Sequence, residues 1–521
     1  MHVLKYLSLI MIMAAPQAVA QPKYWIFLTD KNTDCPPSIS AKTIQNRQNQ
    51  GLVLYDAHDQ PLRQDYVLAL QAQGVQVINT SKWFNAVSAQ LTDYEVSKLK
   101  KNIFVKDIQQ IDGNFYVAKV PNYVAQVGGV SPKYDPVLSQ VQAEAFAKAG
   151  LTGRGVTVGV IDAGYLGAKR AEPLKHLFAD GFLTNPKVLG KRDYVNRNRD
   201  NDFYENMVAF TDFHGTEVLT AITGIDQEQK IQYGLATDAK FYLARTDHGD
   251  REWRGEEDNW VAAMEWMDSL GVRVINTSLG YAKGFTDPKE NYQPSEMDGK
   301  TSVISRAAQI AVDKKGILLI VSAGNEGEDQ SWRVVSTPAD AQGVLSIGAT
   351  NEKLWNRIGY SSIGPESLAY LKPNVSCFSL MGTSLSAPVI TGFAACLMQA
   401  NPKLTNKELI SIIEKSAHLY PYGNNYIGYG VPQASRAVAI LNQQTTPLTA
   451  REVTAKGRSV VLKVDAKGNE LVSVFRKRSP THVIVQEALR VKDGAVFIRR
   501  QTRETHTTVD LKTEVIEIKW E

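Results

Sequence analysis

Hydrophobic positions change rhythm along the chain, and each rhythm predicts a different unit. From residue 21 to 113 the apolar positions fall in short strand-like runs at 24–28, 75–78, 86–91 and 103–105, the third alternating with period two. Thr92 is placed to cap a helix over 93–100, with Glu95 at its third position. This predicts a small α+β unit. The pattern fades over 116–137, where Gly128, Gly129, Pro121, Pro132 and Pro136 mark a linker. From about residue 140 uniformly apolar runs at 156–161, 241–244, 272–275, 317–321 and 344–347 alternate with helical stretches at 217–223, 259–270 and 303–314, and later at 406–417 and 434–443. Such strands cannot afford a wet face, so they predict an α/β fold with a doubly wound parallel sheet. Ligands of such sheets bind at the carboxyl ends of the strands. After Pro447, short strands at 460–462, 471–475, 483–485, 495–498 and 515–518 are split by polar turns, predicting a small all-β domain of sandwich or barrel type.

Composition supplies a full core, with 43% hydrophobic and 21% charged residues, and excludes a disordered, fibrous or disulfide-dense chain. A net charge of +4 over 521 residues points to no nucleic-acid partner. The excess is local: residues 446–521 hold 15 Lys and Arg against 10 Asp and Glu, read as a solvated basic face. Residues 1–20 read as a signal peptide. His2 and Lys5 give a polar start, 6–15 are apolar except for Ser8, and Ala18-Val19-Ala20 fits the small-x-small cleavage pattern before Gln21. No later segment reaches 18 apolar residues, so a secreted or extracytoplasmic chain without a transmembrane segment is expected. Three cysteines, Cys35, Cys377 and Cys396, leave at least one thiol unpaired. Cys377 and Cys396 either pair or stand as small buried hydrophobes.

Four polar strings punctuate the alternating region at strand ends and helix starts. They are Asp162-Ala163-Gly164, Phe213-His214-Gly215-Thr216, Ser322-Ala323-Gly324-Asn325-Glu326-Gly327 and Gly382-Thr383-Ser384-Leu385-Ser386-Ala387-Pro388. A dinucleotide site at the first is excluded, because Asp162 stands where the leading glycine of G-x-G-x-x-G belongs. The residue types suit acyl transfer to water. A serine hydroxyl needs a base, a histidine can be that base, and a carboxylate on its other ring nitrogen fixes the tautomer. A side-chain amide and a backbone N–H can hold the oxyanion, each contributing roughly 3–4 kcal/mol.

The order Asp, His, Asn, Ser and the four strings resemble the subtilisin-like serine proteases (subtilases, peptidase family S8) of the secreted bacterial type, over residues 140–442. The resemblance implies that Asp162, His214 and Ser384 form the triad and that Asn325 supplies the oxyanion hole. It implies that Ser278, Leu279 and Gly280 pair with the substrate backbone and that Ser322, Ala323 and Gly324 wall the primary specificity pocket. The floor of that pocket is not legible. Two departures stand out: Ala163 follows the aspartate where the family usually has Ser or Thr, and Gly-Thr-Glu-Val-Leu-Thr follows His214 where it often has Gly-Thr-His-Val-Ala-Gly.

The same resemblance implies that residues 21–113 are a propeptide that assists folding, blocks the cleft and is cut off by the enzyme itself within 114–139. The expected protein is a monomeric endopeptidase that needs no cofactor for its chemistry. Its partners are protein or peptide substrates and its own propeptide. No metal ligand is assigned: the polar insert 285–300, with Asp287, Asp298 and Gly299, is either a structural calcium loop or a solvated loop. The competing reading is an inert scaffold on the same fold. The complete set of four groups and the propeptide-like segment favour the enzyme.

Overall fold

The computed structural model describes residues 21–111, 135–178, 186–197, 204–205, 210–248, 253–285, 288–444, 450–465 and 470–521. The expected signal peptide, Asp287 and residues 112–134, where most of the expected processing segment falls, lie outside them. The first unit has strands β1 (Lys23–Leu28), β2 (Val77–Ser81), β3 (Ala86–Gln90) and β4 (Val105–Gln110), paired antiparallel in the order β2-β3-β1-β4. Helices α1 (Ala41–Asn49), α2 (Gln64–Ala72) and α3 (Asp93–Leu99) accompany them. Strand alternation sends Tyr24, Ile26 and Leu28 into a core with Val67, Leu70 and Leu99, and Trp25 to the opposite face. Thr92 and Glu95 close a capping box on α3, as their spacing predicts. The strand expected at 103–105 begins only at Val105, because Ile103 lies in an exposed turn.

The central unit opens with α4 (Pro136–Gln140) and α5 (Ala143–Lys148). Its sheet contains β5 (Thr157–Asp162) and β6 (Val188–Asp193). Helix α6 (His214–Thr223) and a short ribbon of β7 (Ile225–Asp226) and β8 (Ile231–Gln232) follow. Next come β9 (Lys240–Arg245), α7 (Glu257–Ser269), β10 (Val274–Thr277), α8 (Val303–Asp313), β11 (Leu318–Ser322), β12 (Leu345–Thr350) and β13 (Val375–Phe378). Helices α9 (Ala387–Ala400), α10 (Asn406–Ser416) and α11 (Ala434–Leu441) complete the unit. Seven parallel strands stack in the order β13-β12-β11-β10-β5-β9-β6. Val158, Val160, Val274, Leu318 and Ile320 face one core, with α6, α9, α10 and α11. Their neighbours Ile161, Ile275, Leu319 and Val321 face the other, with α7 and α8. Both faces are dry, which is why these strands read as unbroken apolar runs. The stretch Thr383–Ala400 is the one helical segment among the described residues long and apolar enough to cross a membrane. It is 83% buried as the central helix of the first core.

Three expectations change. The linker does not extend to residue 139, because Val137 and Leu138 of α4 join the first core and the folded unit begins at Asp135. Strands β6 and β13 were not expected. The first is a half-exposed, partly charged edge and the second is only four residues long. Cys377 and Cys396 do not pair: all three thiols are free, these two buried and Cys35 exposed. Burial pushes both buried thiols far above their ordinary range.

The last unit is all-β. β14 (Ala450–Ala455), β15 (Ser459–Lys463), β16 (Leu471–Lys477), β17 (Val483–Arg490), β18 (Ala495–Arg499), β19 (His506–Asp510) and β20 (Val515–Trp520) form a five-stranded sheet, β14-β20-β19-β16-β17, and a ribbon, β15-β18. Leu462, Val496 and Ile498 of the ribbon pack on Val474, Val509, Ile516 and Ile518 of the sheet. Phe475, Val483 and Val515 pack on Leu419, Tyr426 and Ile427 of the central unit. The His418 ring bonds Asp510 across that seam at 3.1 Å.

The N-terminal unit docks on α7 through two buried carboxylates two helical turns apart, hence on one face. Asp258 accepts from Lys23 Nζ (2.6 Å), Asn79 Nδ2 (2.7 Å) and the Ser88 hydroxyl. Glu265 accepts from the Ser81 hydroxyl (2.6 Å) and the Lys82 and Trp83 amides (2.9 and 3.1 Å). Nearby, Arg47 bridges Asp59 and Asp268, and Lys315 reaches Asp56 and Asp59. Removing one partner strands a buried charge, a loss of about 3–5 kcal/mol. Asp258→Ala is therefore expected to loosen the N-terminal unit. Hydrogen exchange should accelerate at the Asn79 and Ser88 amides and stay slow at Val160, and equal protection in mutant and wild type would contradict this account.

Candidate active site

Asp162 closes β5, fully buried, and Thr246 donates its N–H to the Asp162 carbonyl at 3.1 Å. His214 opens α6. The two segments meet because glycines stand where they touch: the Gly215 N–H donates to the Gly164 carbonyl at 2.8 Å. A Cβ on Gly215 would lie 2.4 Å from that oxygen, and one on Gly164 2.5 Å from the Asp212 carbonyl oxygen. The buried Arg245 guanidinium ties the same segments, donating to the Ala163 carbonyl (2.9 Å) and to Asp212 (2.6 Å). The outcome is a 2.6 Å hydrogen bond between His214 Nδ1 and Asp162 Oδ1. With Nδ1–H donating, Nε2 is left as the basic nitrogen. Burial opposes the imidazolium, yet the charge and hydrogen bond of Asp162 outweigh it, so the His214 pKa is raised. Asp162 Oδ1 also accepts from the Ala163 N–H, whereas Oδ2 has no partner among the described residues. Ala163 offers no side-chain donor to it.

Ser384 lies in a single 3-10 turn, Thr383–Leu385, that feeds α9. Its carbonyl accepts from the Ser278 hydroxyl at 2.8 Å. That hydroxyl accepts from Asn276 Nδ2, and Asn276 Oδ1 accepts from the Thr391 hydroxyl. Thr383 fixes Asn325, because its N–H donates to Asn325 Oδ1 at 2.9 Å. With Oδ1 so engaged, the Nδ2 donor is the end of the amide left for a ligand. Gly382 has φ +111°, and a Cβ there would meet Asn325 Nδ2 and Ser384 Oγ at 3.2 Å.

His214, Ser384, Asn325, Ser278, Leu279, Gly280, Ser322 and Gly324 line one cleft of about 250 Å³. Asp162 stands behind His214. Ala323 alone turns away, fully buried in the α7–α8 core, so it supports the wall rather than lining it. Glu326 and Ser336 also line this cleft, and Ser362 lies close behind Gly324. A Cβ on Gly324 would lie 2.8 Å from Glu326 Oε2, 3.0 Å from Ser362 Oγ and 3.2 Å from Ser336 Oγ. Ser336 Oγ is buried and without a partner among the described residues. Burial raises the Glu326 pKa against the hydrogen bonds from Ser362 and the Asn325 N–H. Glu326 could have been found as the residue after Asn325, whereas Ser336 arrives on a separate loop with no motif. Asp247 also lines the cleft, its pKa pushed up to about 6 by burial against hydrogen bonds from Thr246 and Tyr281.

In the insert, Asp298 spends its carboxylate on its own turn, accepting from the Lys300 and Thr301 amides and the Thr301 hydroxyl. No group of three or more His, Cys, Asp or Glu placed to hold a metal occurs among the described residues.

The subtilase family profile matches residues 153–430, which carry every one of these side chains. The chain belongs to the subtilase family. It is a serine protease of peptidase family S8, and a propeptide-domain profile of that family, from Bacteroidota, matches residues 23–122. Subtilisin NAT of Bacillus subtilis subsp. natto is 26% identical over 375 residues, covering 70% of this chain and 83% of the relative. The thermostable alkaline protease of Halalkalibacterium halodurans is 24% identical over 381 residues, covering 70% and 87%. Among solved structures, the epidermin leader peptide processing serine protease of Staphylococcus aureus superposes with a TM-score of 0.53 at 14% identity, over 81% of this chain and all of that one. This likeness establishes the shared fold of this subtilase and its seven-stranded sheet.

Gly382→Ala is expected to lower kcat roughly a hundredfold with little change in KM, because the methyl group crowds Ser384 Oγ and the Asn325 amide in a backbone conformation that favours glycine. Steady-state kinetics on a peptide substrate check this, and wild-type kcat in the mutant would contradict it.

Proposed function

We propose that this subtilase is an extracytoplasmic, monomeric serine endopeptidase that matures itself. The single observation behind the reading is the 2.6 Å His214–Asp162 bond in the same cleft as Ser384 and the Asn325 amide. Ser384 Oγ attacks the scissile carbonyl. His214 Nε2 takes its proton and returns it to the leaving amine, and Asp162 holds the ring and stabilises the imidazolium. Asn325 Nδ2 and the Ser384 N–H hold the oxyanion. The acyl side of the substrate lies along Ser278–Gly280 and against Ser322–Gly324. Calcium, if bound, plays a structural part only.

The domain reading follows. Residues 1–20 direct export, 21–113 form an inhibitory propeptide, and cleavage falls before the folded unit, within 114–134. Residues 446–521 are an appended β domain. The docking of the N-terminal unit on α7 supports an intramolecular inhibitor.

Ser384→Ala is expected to abolish peptide hydrolysis and fluorophosphonate labelling and to leave the chain at its unprocessed mass. Turnover retained in the mutant would sink the reading. The raised His214 pKa sets a pH dependence. The base works only when neutral, so kcat/KM should fall as pH drops through a value above 6.5. Asp162→Asn removes the charge that raises this pKa, so the acid limb should move to lower pH while kcat falls roughly ten-thousandfold. A limb that stays in place would remove Asp162 from that role.

A further inference from the structure

A second cavity, of about 330 Å³, is lined by residues that neighbour His214 and Ser384 along the chain. The two cavities divide consecutive residues between them. His214 and Ser384 face the cleft, whereas Thr216 and Glu217, on the next positions of α6, and Leu385, directly after Ser384, line the second space. On the proposed mechanism, on which this inference rests, the cleft with Asn325 and Ser278–Gly280 takes the acyl half of the substrate. The chain beyond the scissile bond must then leave past Glu217 and Leu385.

The cavity is chemically one-sided. Val137, Ala221, Phe378, Leu380, Met381, Leu385 and Val389 make most of its wall, and no Lys or Arg lines it among the described residues. Into this apolar space projects the Glu217 carboxylate, half-buried and without a hydrogen bond or ion pair among the described residues. Asp135 adds a second carboxylate at the same wall, with Oδ1 accepting from the Val137 N–H. A half-desolvated carboxylate in an apolar socket gains most from a cation that arrives on an aliphatic stem, because the stem fills the socket and the head cancels the charge in a low-dielectric place. Burial raises the Glu217 pKa, and the His214 charge opposes that shift.

We propose that this cavity is a leaving-group-side specificity pocket and that Glu217 selects a Lys or Arg side chain just beyond the cleaved bond. The test uses acyl transfer, which reads this side alone. A peptide ester acylates Ser384 Oγ, its ester C–O bond breaking and the alcohol leaving with the serine proton delivered through His214. The acyl–oxygen bond is then broken either by water or by the free amine of an amino-acid amide, which forms a new amide bond and returns a proton through His214 to Ser384. The purified protein produced from the full chain is given argininamide, lysinamide, glutaminamide and leucinamide, and the ratio of aminolysis to hydrolysis is measured. Argininamide and lysinamide should be captured about tenfold better than glutaminamide. Glu217→Gln should erase that preference, and Glu217→Lys should transfer it to glutamic acid amide. The ratio is internal to each enzyme, so partial misfolding lowers both products without moving it. Equal capture of argininamide and glutaminamide by the wild type, or a preference that survives in Glu217→Gln, overturns the pocket assignment and leaves the protease reading intact. Failure of the folded wild type to turn over the ester overturns both.

Discussion

The contact between the end of β5 and the start of α6 is the constraint on which the catalytic geometry depends. Two chain segments that carry a carboxylate and an imidazole must approach until their backbones touch, and Gly164 and Gly215 make that possible. Arg245 then clamps both segments from the neighbouring strand. The cost of burying Asp162 is met by the His214 ring and one backbone amide, while Oδ2 has no donor among the described residues. Ala163, directly after this aspartate, has no hydroxyl to offer it. The histidine is thus held by one short bond and by the backbone around it, not by a wider web of side chains.

Much of this was legible in the sequence, for a physical reason. A parallel sheet covered on both faces leaves uniformly apolar strands, and β5, β9, β10, β11 and β12 all announced themselves that way. The reactive groups also announced themselves, because each stands in a short string whose glycines and small residues are required by the turn that presents it. The elements that escaped lack one of these signals. Helix α1 has almost no apolar stripe. It is held by Arg47 and Thr43 bonding to the end of α7, which propensity and periodicity cannot report. Strands β6 and β13 are the two edges of the sheet, where one side has no neighbour and polar residues are tolerated. Strand β19 reads as polar because its buried Thr507 and Thr508 satisfy Glu504 and Glu517. Ser336 in the lining of the cleft was invisible because it comes from a loop that meets the cleft only in three dimensions.

The N-terminal unit and the enzyme face each other through polar groups as much as through hydrophobic ones. Trp25 and Trp83 give apolar area, but Asp258, Glu265 and Asp268 carry the directional bonds. Such a seam is specific and also reversible. Once its donors leave, these carboxylates are rehydrated with little loss, whereas a seam of large apolar side chains would leave a sticky face on the mature surface.

The placement of the cysteines has a further meaning. Cys35, the one exposed thiol of the three, lies within the residues matched by the propeptide profile, and the two that remain are sealed inside the sheet-and-helix core. An enzyme that shed this domain would carry no exposed thiol. Oxidative cross-linking and mixed-disulfide formation would then be hazards of the precursor alone.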